Sequence, residues 1–306
     1  WGFPDMSILV DESTHVLVQG ITGREGMRAT HAMLESRTAV SAGVTPGKGG
    51  ITILGVPVYD SVAQAVEAHP EISATVVYVP PAGAKDAAFE AISNGIKLVN
   101  VITEDIAISD TAEMIEFARK HKARIVGPSS VGIFSPGKAR LGVVGGPKEI
   151  VERVYKQGNI GVISKSGGMT NETAWVVRQA GLGQSTVVGM GGDVLVGSDY
   201  VDLLKLFEED DDTHGVVFFG ELGGSYEEQI AWAVEKGEIN KPVAGFIAGR
   251  FASRLPSEIK FGHAGAIVEG TKGTAESKMQ ALKEAGVLVA ETHDKLGEII
   301  KTAVKA

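Results

Sequence analysis

Cysteine does not occur among the 306 residues, which removes disulfides, thiolate metal sites and a cysteine nucleophile together. No apolar run approaches the roughly 18–20 residues needed to cross a bilayer, so a membrane partner is not expected. A positive excess is also missing. With 38 acidic against 29 basic residues the net charge is −9, and no overall field would hold nucleic acid. A local site for a small anion stays open on such a chain. The amino terminus lacks the basic-then-apolar layout of a secretion signal. Met6 opens a strand lead-in, so Trp1–Asp5 read as an extension before it. These absences lead to the expectation of a soluble, cytoplasmic protein.

What is present is an ordinary globular balance, 43% hydrophobic and 22% charged residues, in a length that suits two domains of roughly 100–200 residues each. Short β-rich runs alternate with longer amphipathic stretches. THVLVQG (14–20), ATVVYVP (74–80), KLVNVIT (97–103) and ARIVGP (123–128) read as strands. Helix-like segments at 61–69, 84–95 and 110–122 separate most of them. That alternation predicts βαβ units and a parallel sheet. It restarts at NIGVISKSG (159–167) and continues through strand-like 185–192, 214–224, 241–249 and 286–292. The Gly/Pro-rich passage 127–147 joins the two sets. The expected organisation is a Rossmann-like domain over 6–130 and a flavodoxin-like parallel α/β domain over 150–306, with the cut between 130 and 150.

In open α/β sheets, ligands bind beyond the carboxyl ends of the strands, often against a helix N-terminus. At 19-QGITGREG-26 a strand meets three glycines and then a helix. The G-x-x-G-x-x-G spacing is not the dinucleotide fingerprint, which disfavours a dehydrogenase. The glycines still let backbone N–H groups approach a phosphate, although a ligand-free turn fits them too. In 43-GVTPGKGG-50, Lys48 stands among glycines as a phosphate clamp or simply a solvated hairpin. A third strand end, 102-ITED-105, offers Thr103 and Glu104 to the same crevice.

The second half repeats the pattern with other chemistry. At 164-SKSGGMTNE-172 a strand ends, Ser166, Gly167 and Gly168 turn, and a helix begins; unpaired N–H groups there can hold an anion. Glu221 stands at another strand end in 220-GELGG-224, and His263 lies in the glycine-rich 261-FGHAGAI-267. A lone histidine is more often packed than catalytic, and the other six receive that reading. Beside an anion-ready loop and a carboxylate, however, His263 fits a phosphoryl relay. A neutral imidazole can take a phosphoryl group covalently, and a carboxylate on the other ring nitrogen would stabilise the charge formed. No Walker A or kinase motif set occurs, which puts the nucleotide triphosphate on a partner chain.

QGITGREG, GVTPGKGG, YVPP, VITED, Gly127-Pro128, SKSGG, GMGGD, GELGG and GHAGAI occur in one order. In that order they resemble the α subunits of the succinyl-CoA synthetase (succinate–CoA ligase) family, from about Met6 to the carboxyl terminus. Singly each motif is weak; nine in sequence are specific. The resemblance implies coenzyme A binding by Thr22, Gly23, Arg24, Glu25, Lys48, Ile102, Thr103 and Glu104. It implies transient phosphorylation of His263 beside Glu221, with Ser166, Gly167, Gly168 and Asn171 lining the phosphate and acid site. ATP or GTP with Mg²⁺ is expected on a β subunit with an ATP-grasp domain, in an αβ or α₂β₂ assembly, and no metal site is expected on this chain.

Two departures bear on the acid. Succinate-type chains read S-R-S-G-T-L-T-Y-E where this one has SKSGGMTNE, and they carry a basic A-P-K-G-K-R-M-G-H where this one has ASRLPSEIKFGHAG. Both variants resemble ATP-citrate lyase and citryl-CoA synthetase instead. Gly168 in place of threonine, and Asn171 in place of an aromatic ring, would widen the acid pocket. Succinate is the expected acid, with citrate as the alternative and malate behind it.

Overall fold

The computed structural model describes residues 8–250 and 273–305. His263 and the segment around it lie outside the described residues. Among the described residues the chain builds two seven-stranded sheets with helices against them. The first contains β1 (His15–Gln19), β2 (Ala39–Val44), β3 (Thr52–Ile53), β4 (Val56–Tyr59), β5 (Ile72–Val77), β6 (Leu98–Val101) and β7 (Arg124–Val126). They lie in the order β3-β4-β2-β1-β5-β6-β7. All neighbours are parallel except β3 against β4. This is the Rossmann-like arrangement, and the direction of winding reverses between β1 and β5. Helices α1 (Arg24–Glu35), α2 (Val62–Ala68), α3 (Pro81–Ser93) and α4 (Ile108–Lys120) make the crossovers.

The second sheet contains β8 (Gly132–Ser135), β9 (Ala139–Gly142), β10 (Gln157–Ser164), β11 (Gln184–Gly189), β12 (Gly215–Glu221), β13 (Val243–Ala248) and β14 (Leu288–Val289). Their order is β14-β13-β12-β10-β11-β8-β9. The five later strands follow the flavodoxin-like pattern, which reverses between β10 and β12. The Gly/Pro-rich passage that reads as a joint supplies the antiparallel edge of this sheet: β8 pairs β11, and β9 pairs β8. Helices α5 (Lys148–Val154), α6 (Gly167–Gln179), α7 (Tyr200–Glu209), α8 (Tyr226–Glu235), α9 (Ala275–Glu284) and α10 (Leu296–Ala303) cover its faces.

Strands buried on both faces need near-continuous aliphatic runs, and VVGM, GVVFFG and VAGFIA supply them. One buried apolar cluster runs without interruption from Val16, Val18 and Met33 of the first half to Leu141, Ile163 and Tyr200 of the second. Each such aliphatic side chain contributes roughly 1.5–3 kcal/mol on burial, so the halves share a core. Polar ties cross the same seam. Thr38 Oγ1 accepts from the Arg140 N–H at 2.8 Å, and Ser198 Oγ donates to the Ile125 carbonyl at 2.7 Å.

Candidate functional site

The strand ends of the first sheet converge at its point of reversal. Gly20 follows β1 with φ +83°, and a Cβ there would lie 2.9 Å from the Tyr78 carbonyl beyond β5. Gly23 turns the chain by donating to the Gly20 carbonyl at 3.0 Å. A Cβ on Gly26 would lie 2.3 Å from that same carbonyl, so only glycine lets α1 start this close to β1. No side chain caps α1 at Gly23, which leaves its first N–H groups pointing out of the strand end. Thr22 Oγ1 donates to Thr45 Oγ1 at 3.2 Å, tying this loop to the one after β2. That second loop carries Lys48, whose N–H donates to the Thr45 carbonyl at 3.0 Å while its side chain is exposed. Beyond β6, Thr103 Oγ1 donates to the Val79 carbonyl at 2.7 Å. Ile102 is half-buried and Glu104 exposed. Arg24 and Glu25 are paired at 3.3 Å on the exposed start of α1. The eight residues thus follow β2, β1 and β6 on the carboxyl side of one sheet, with β5 between the last two strands.

The point of reversal in the second sheet brings together the ends of β10 and β12. Lys165 N–H donates to the Phe219 carbonyl at 3.3 Å. Ser166 caps α6 without a side-chain hydrogen bond, and Ser164 Oγ and Thr170 Oγ1 donate to its carbonyl at 2.7 and 2.8 Å. The N–H groups of Gly167 and Gly168 therefore face the strand end on a fixed turn, an arrangement suited to phosphoryl oxygens. A Cβ on Gly167 would lie 2.5 Å from Val131, whereas one on Gly168 would meet nothing within 4 Å. Gly168 borders open space.

Asn171 does not. Its carboxamide oxygen accepts from the Gly145 N–H at 2.9 Å and from the Tyr155 hydroxyl at 2.6 Å. Asn171 is thereby tied to the loop before α5 and to Tyr155. Burial pushes the Tyr155 phenol well above its ordinary range, so it stays a neutral donor to Asn171.

Glu221 ends β12, half-buried. Its N–H donates to Glu227 Oε1 at 3.1 Å, and its carbonyl accepts from Lys278 Nζ at 3.0 Å. One stretch of chain ties the two groups of strand ends together. Ser129 N–H donates to the Thr103 carbonyl at 3.1 Å. Ser129 Oγ reaches Asp193 after β11 at 2.9 Å, and Ser130 Oγ donates to the Gly189 carbonyl at 2.6 Å. One five-residue stretch, 127–131, thereby touches the third strand end of the first half and the start of α6 in the second.

Sequence reasoning missed three groups here. Lys165 is buried, with its ammonium 5.7 Å from the Tyr226 ring centre; Glu227 and Lys278 are buried completely. Their signal, charged residues next to strand-end motifs, looks the same as a solvated helix face until the sheet is assembled.

A coenzyme A-binding domain model matches residues 11–105, and a CoA-ligase model matches residues 163–288. Over 295 residues the chain is 47% identical to succinate–CoA ligase [ADP-forming] subunit alpha 2 of Archaeoglobus fulgidus, covering 96% of this chain and 99% of that one. The chain belongs to the succinate–CoA ligase α-subunit family. Within that family the acid varies. An ADP-forming sulfoacetate-CoA ligase subunit of an Acholeplasma species is 42% identical over 296 residues, 97% of this chain and 98% of that one. Among solved structures, ATP citrate lyase of Methanothrix soehngenii, in complex with citrate and coenzyme A, superimposes with a TM-score of 0.91 at 29% identity. That match covers 98% of this chain but 51% of the lyase chain, so this chain spans about half the lyase's length. No helix among the described residues is long and apolar enough to cross a membrane.

Proposed function

We propose that the chain is the α-type subunit of a nucleoside-diphosphate-forming acid–CoA ligase that holds coenzyme A in its first half and relays phosphate through His263 to succinate. The observation that carries this reading is the pair of strand-end sites at the two points of sheet reversal, one with the uncapped start of α1 and Lys48, the other with the start of α6 and Glu221. The turn between β1 and α1, where Gly26 lets the helix start against the Gly20 carbonyl and no side chain caps the first N–H groups, fits a phosphate-bearing nucleotide such as coenzyme A. Thr22, Gly23, Arg24, Glu25 and Lys48 would hold its phosphates, and Ile102, Thr103 and Glu104 would border the other side.

A β subunit with an ATP-grasp domain supplies ATP or GTP with Mg²⁺. The His263 imidazole attacks the terminal phosphorus; a nitrogen–phosphorus bond forms and the bond to the nucleoside diphosphate breaks. Glu221 stabilises the positive ring and fixes its tautomer. A carboxylate oxygen of the acid then attacks phosphorus, freeing His263 and giving an acyl phosphate, while the Gly167 and Gly168 N–H groups hold the phosphoryl oxygens. The coenzyme A thiolate finally attacks the acyl carbon and expels inorganic phosphate, leaving the thioester.

The chain with its partner subunit and radiolabelled ATP or GTP is expected to acquire an acid-labile, base-stable phosphoryl label. His263→Asn is expected to abolish it; label that persists in this variant overturns the relay. A second reading, citrate as the acid, is favoured by the open space at Gly168 and by the likeness to the lyase chain. Thioester formation from succinate, citrate, malate and sulfoacetate in turn decides the acid.

A further inference from the structure

Beneath Glu221 lies an ion pair that the relay as described does not use. Glu227, in the first turn of α8, and Lys278, in the first turn of α9, are both 0% exposed and in direct contact. Glu228 stands 3.9 Å from the same ammonium, and burial raises its carboxyl above the ordinary carboxylate range. A fully buried pair is weak evidence for stability, because desolvation offsets most of its attraction and two apolar side chains fill the volume as well. Its hydrogen bonds point to another role. The ammonium donates to the carbonyls of Glu221 and Gly223 as well as to Glu227, and the second oxygen of Glu227 accepts the Glu221 N–H. Both backbone groups of Glu221 are thus held by one pair of opposite charges.

The surroundings are shaped for it. A Cβ on Gly220 would lie 2.9 Å from Glu227 Cγ, so the glycine before Glu221 makes room for the carboxylate to pass beneath the strand end. Gly223 N–H donates to the Gly273 carbonyl at 2.7 Å, where the chain re-enters after the segment containing His263. Thr274 then caps α9, its hydroxyl accepting from the Ser277 N–H at 3.1 Å. Two methionines could pack in place of the pair, but neither could donate to two carbonyls.

We infer that Lys278 and Glu227 are positioning residues for the phosphoryl transfer: they fix the backbone of Glu221 and anchor it to the chain that returns from His263. The inference rests on the relay reading, and a double-mutant cycle separates the two. Lys278→Met, Glu221→Gln and the double variant are compared by the rate of label uptake at His263 under single-turnover conditions, with coenzyme A affinity and thermal unfolding as checks on the fold. Lys278→Met is expected to slow uptake by about thirtyfold or more while coenzyme A affinity stays within twofold. In the Glu221→Gln background the same change is expected to cost threefold or less, because Lys278 acts through Glu221. Losses that multiply, or full-rate uptake in Lys278→Met, overturn the inference; no label in the unaltered chain counts against the relay instead. If Lys278→Met does not fold, Glu227→Gln, which keeps the acceptor for the Glu221 N–H and loses the charge, takes its place in the cycle under the same criteria.

Discussion

At the carboxyl end of β1 the groups that face the crevice are backbone N–H groups, and the charged side chains beside them stand in solvent, Arg24 with 92% of its side chain exposed. At the end of β12 the reverse holds: a carboxylate projects from a backbone that buried charges grip from below. Both crevices lie where the winding of a parallel sheet reverses, so topology alone does not make the difference. A phosphate-bearing ligand that binds and leaves unchanged needs a fixed arrangement of dipoles, which the main chain supplies at little cost in side-chain ordering. Moving a phosphoryl group requires a charge held to within a fraction of an ångström, which needs support from beneath.

The largest break in that comparison is expected from Gly26→Ala. The added methyl meets the Gly20 carbonyl at 2.3 Å and displaces the start of α1. Coenzyme A affinity should fall by about a hundredfold, near 2.7 kcal/mol, while label uptake at His263, which needs no coenzyme A, keeps its rate. Calorimetry and labelling on the same preparation check it, and parallel losses would erase the distinction between the sites. A smaller effect is expected from Lys48→Ala. An exposed ammonium contributes modestly and is screened by salt, so coenzyme A binding should weaken by about three- to tenfold at low ionic strength. The gap between parent and variant should narrow in ~0.5 M salt.

Much of this fold is legible in the chain. The strands read at 14–20, 97–103 and 214–224 bracket β1, β6 and β12, because buried parallel strands are forced into continuous aliphatic runs between glycines. Residues 127–147 were legible only as irregular: glycine and proline mark turns well, but β8 and β9 exist because β11 offers them an edge. Similarly, 286-GVLVAET-292 contracts to a two-residue β14 that pairs β13. The motifs mark which loops to examine. They do not reveal that Glu227 faces inward, since two acidic residues opening a helix usually sit in solvent, where they favour its dipole.

The smallest expected effect tests the packed side of the second site. His293 lies edge-on to Phe219 and Phe246, and its Nε2 is 3.1 Å from Thr173 Oγ1. Burial lowers its pKa below the usual imidazole value. Between the two values the unfolded chain binds more protons, so stability rises with pH there. The contribution is complete above about pH 6.5 and is lost as pH falls through the folded value. Melting curves from pH 5 to 7.5 should show this slope, and His293→Gln should flatten it while leaving coenzyme A binding intact.

The Arg140 guanidinium, buried and among the described residues without a carboxylate partner, spreads its donors over the carbonyls of Ala32 in the last turn of α1 and of Val143 and Gly146 before α5. Burial lowers its pKa to about 10. Although β9 pairs within the second sheet, this one side chain reaches a carbonyl in the last turn of a first-half helix. The two halves are therefore not interchangeable cassettes. A split protein or a chimaera cut in the Gly/Pro-rich passage would part α1 from this guanidinium, so exchanging acid specificity between relatives requires 132–146 and α1 to travel together.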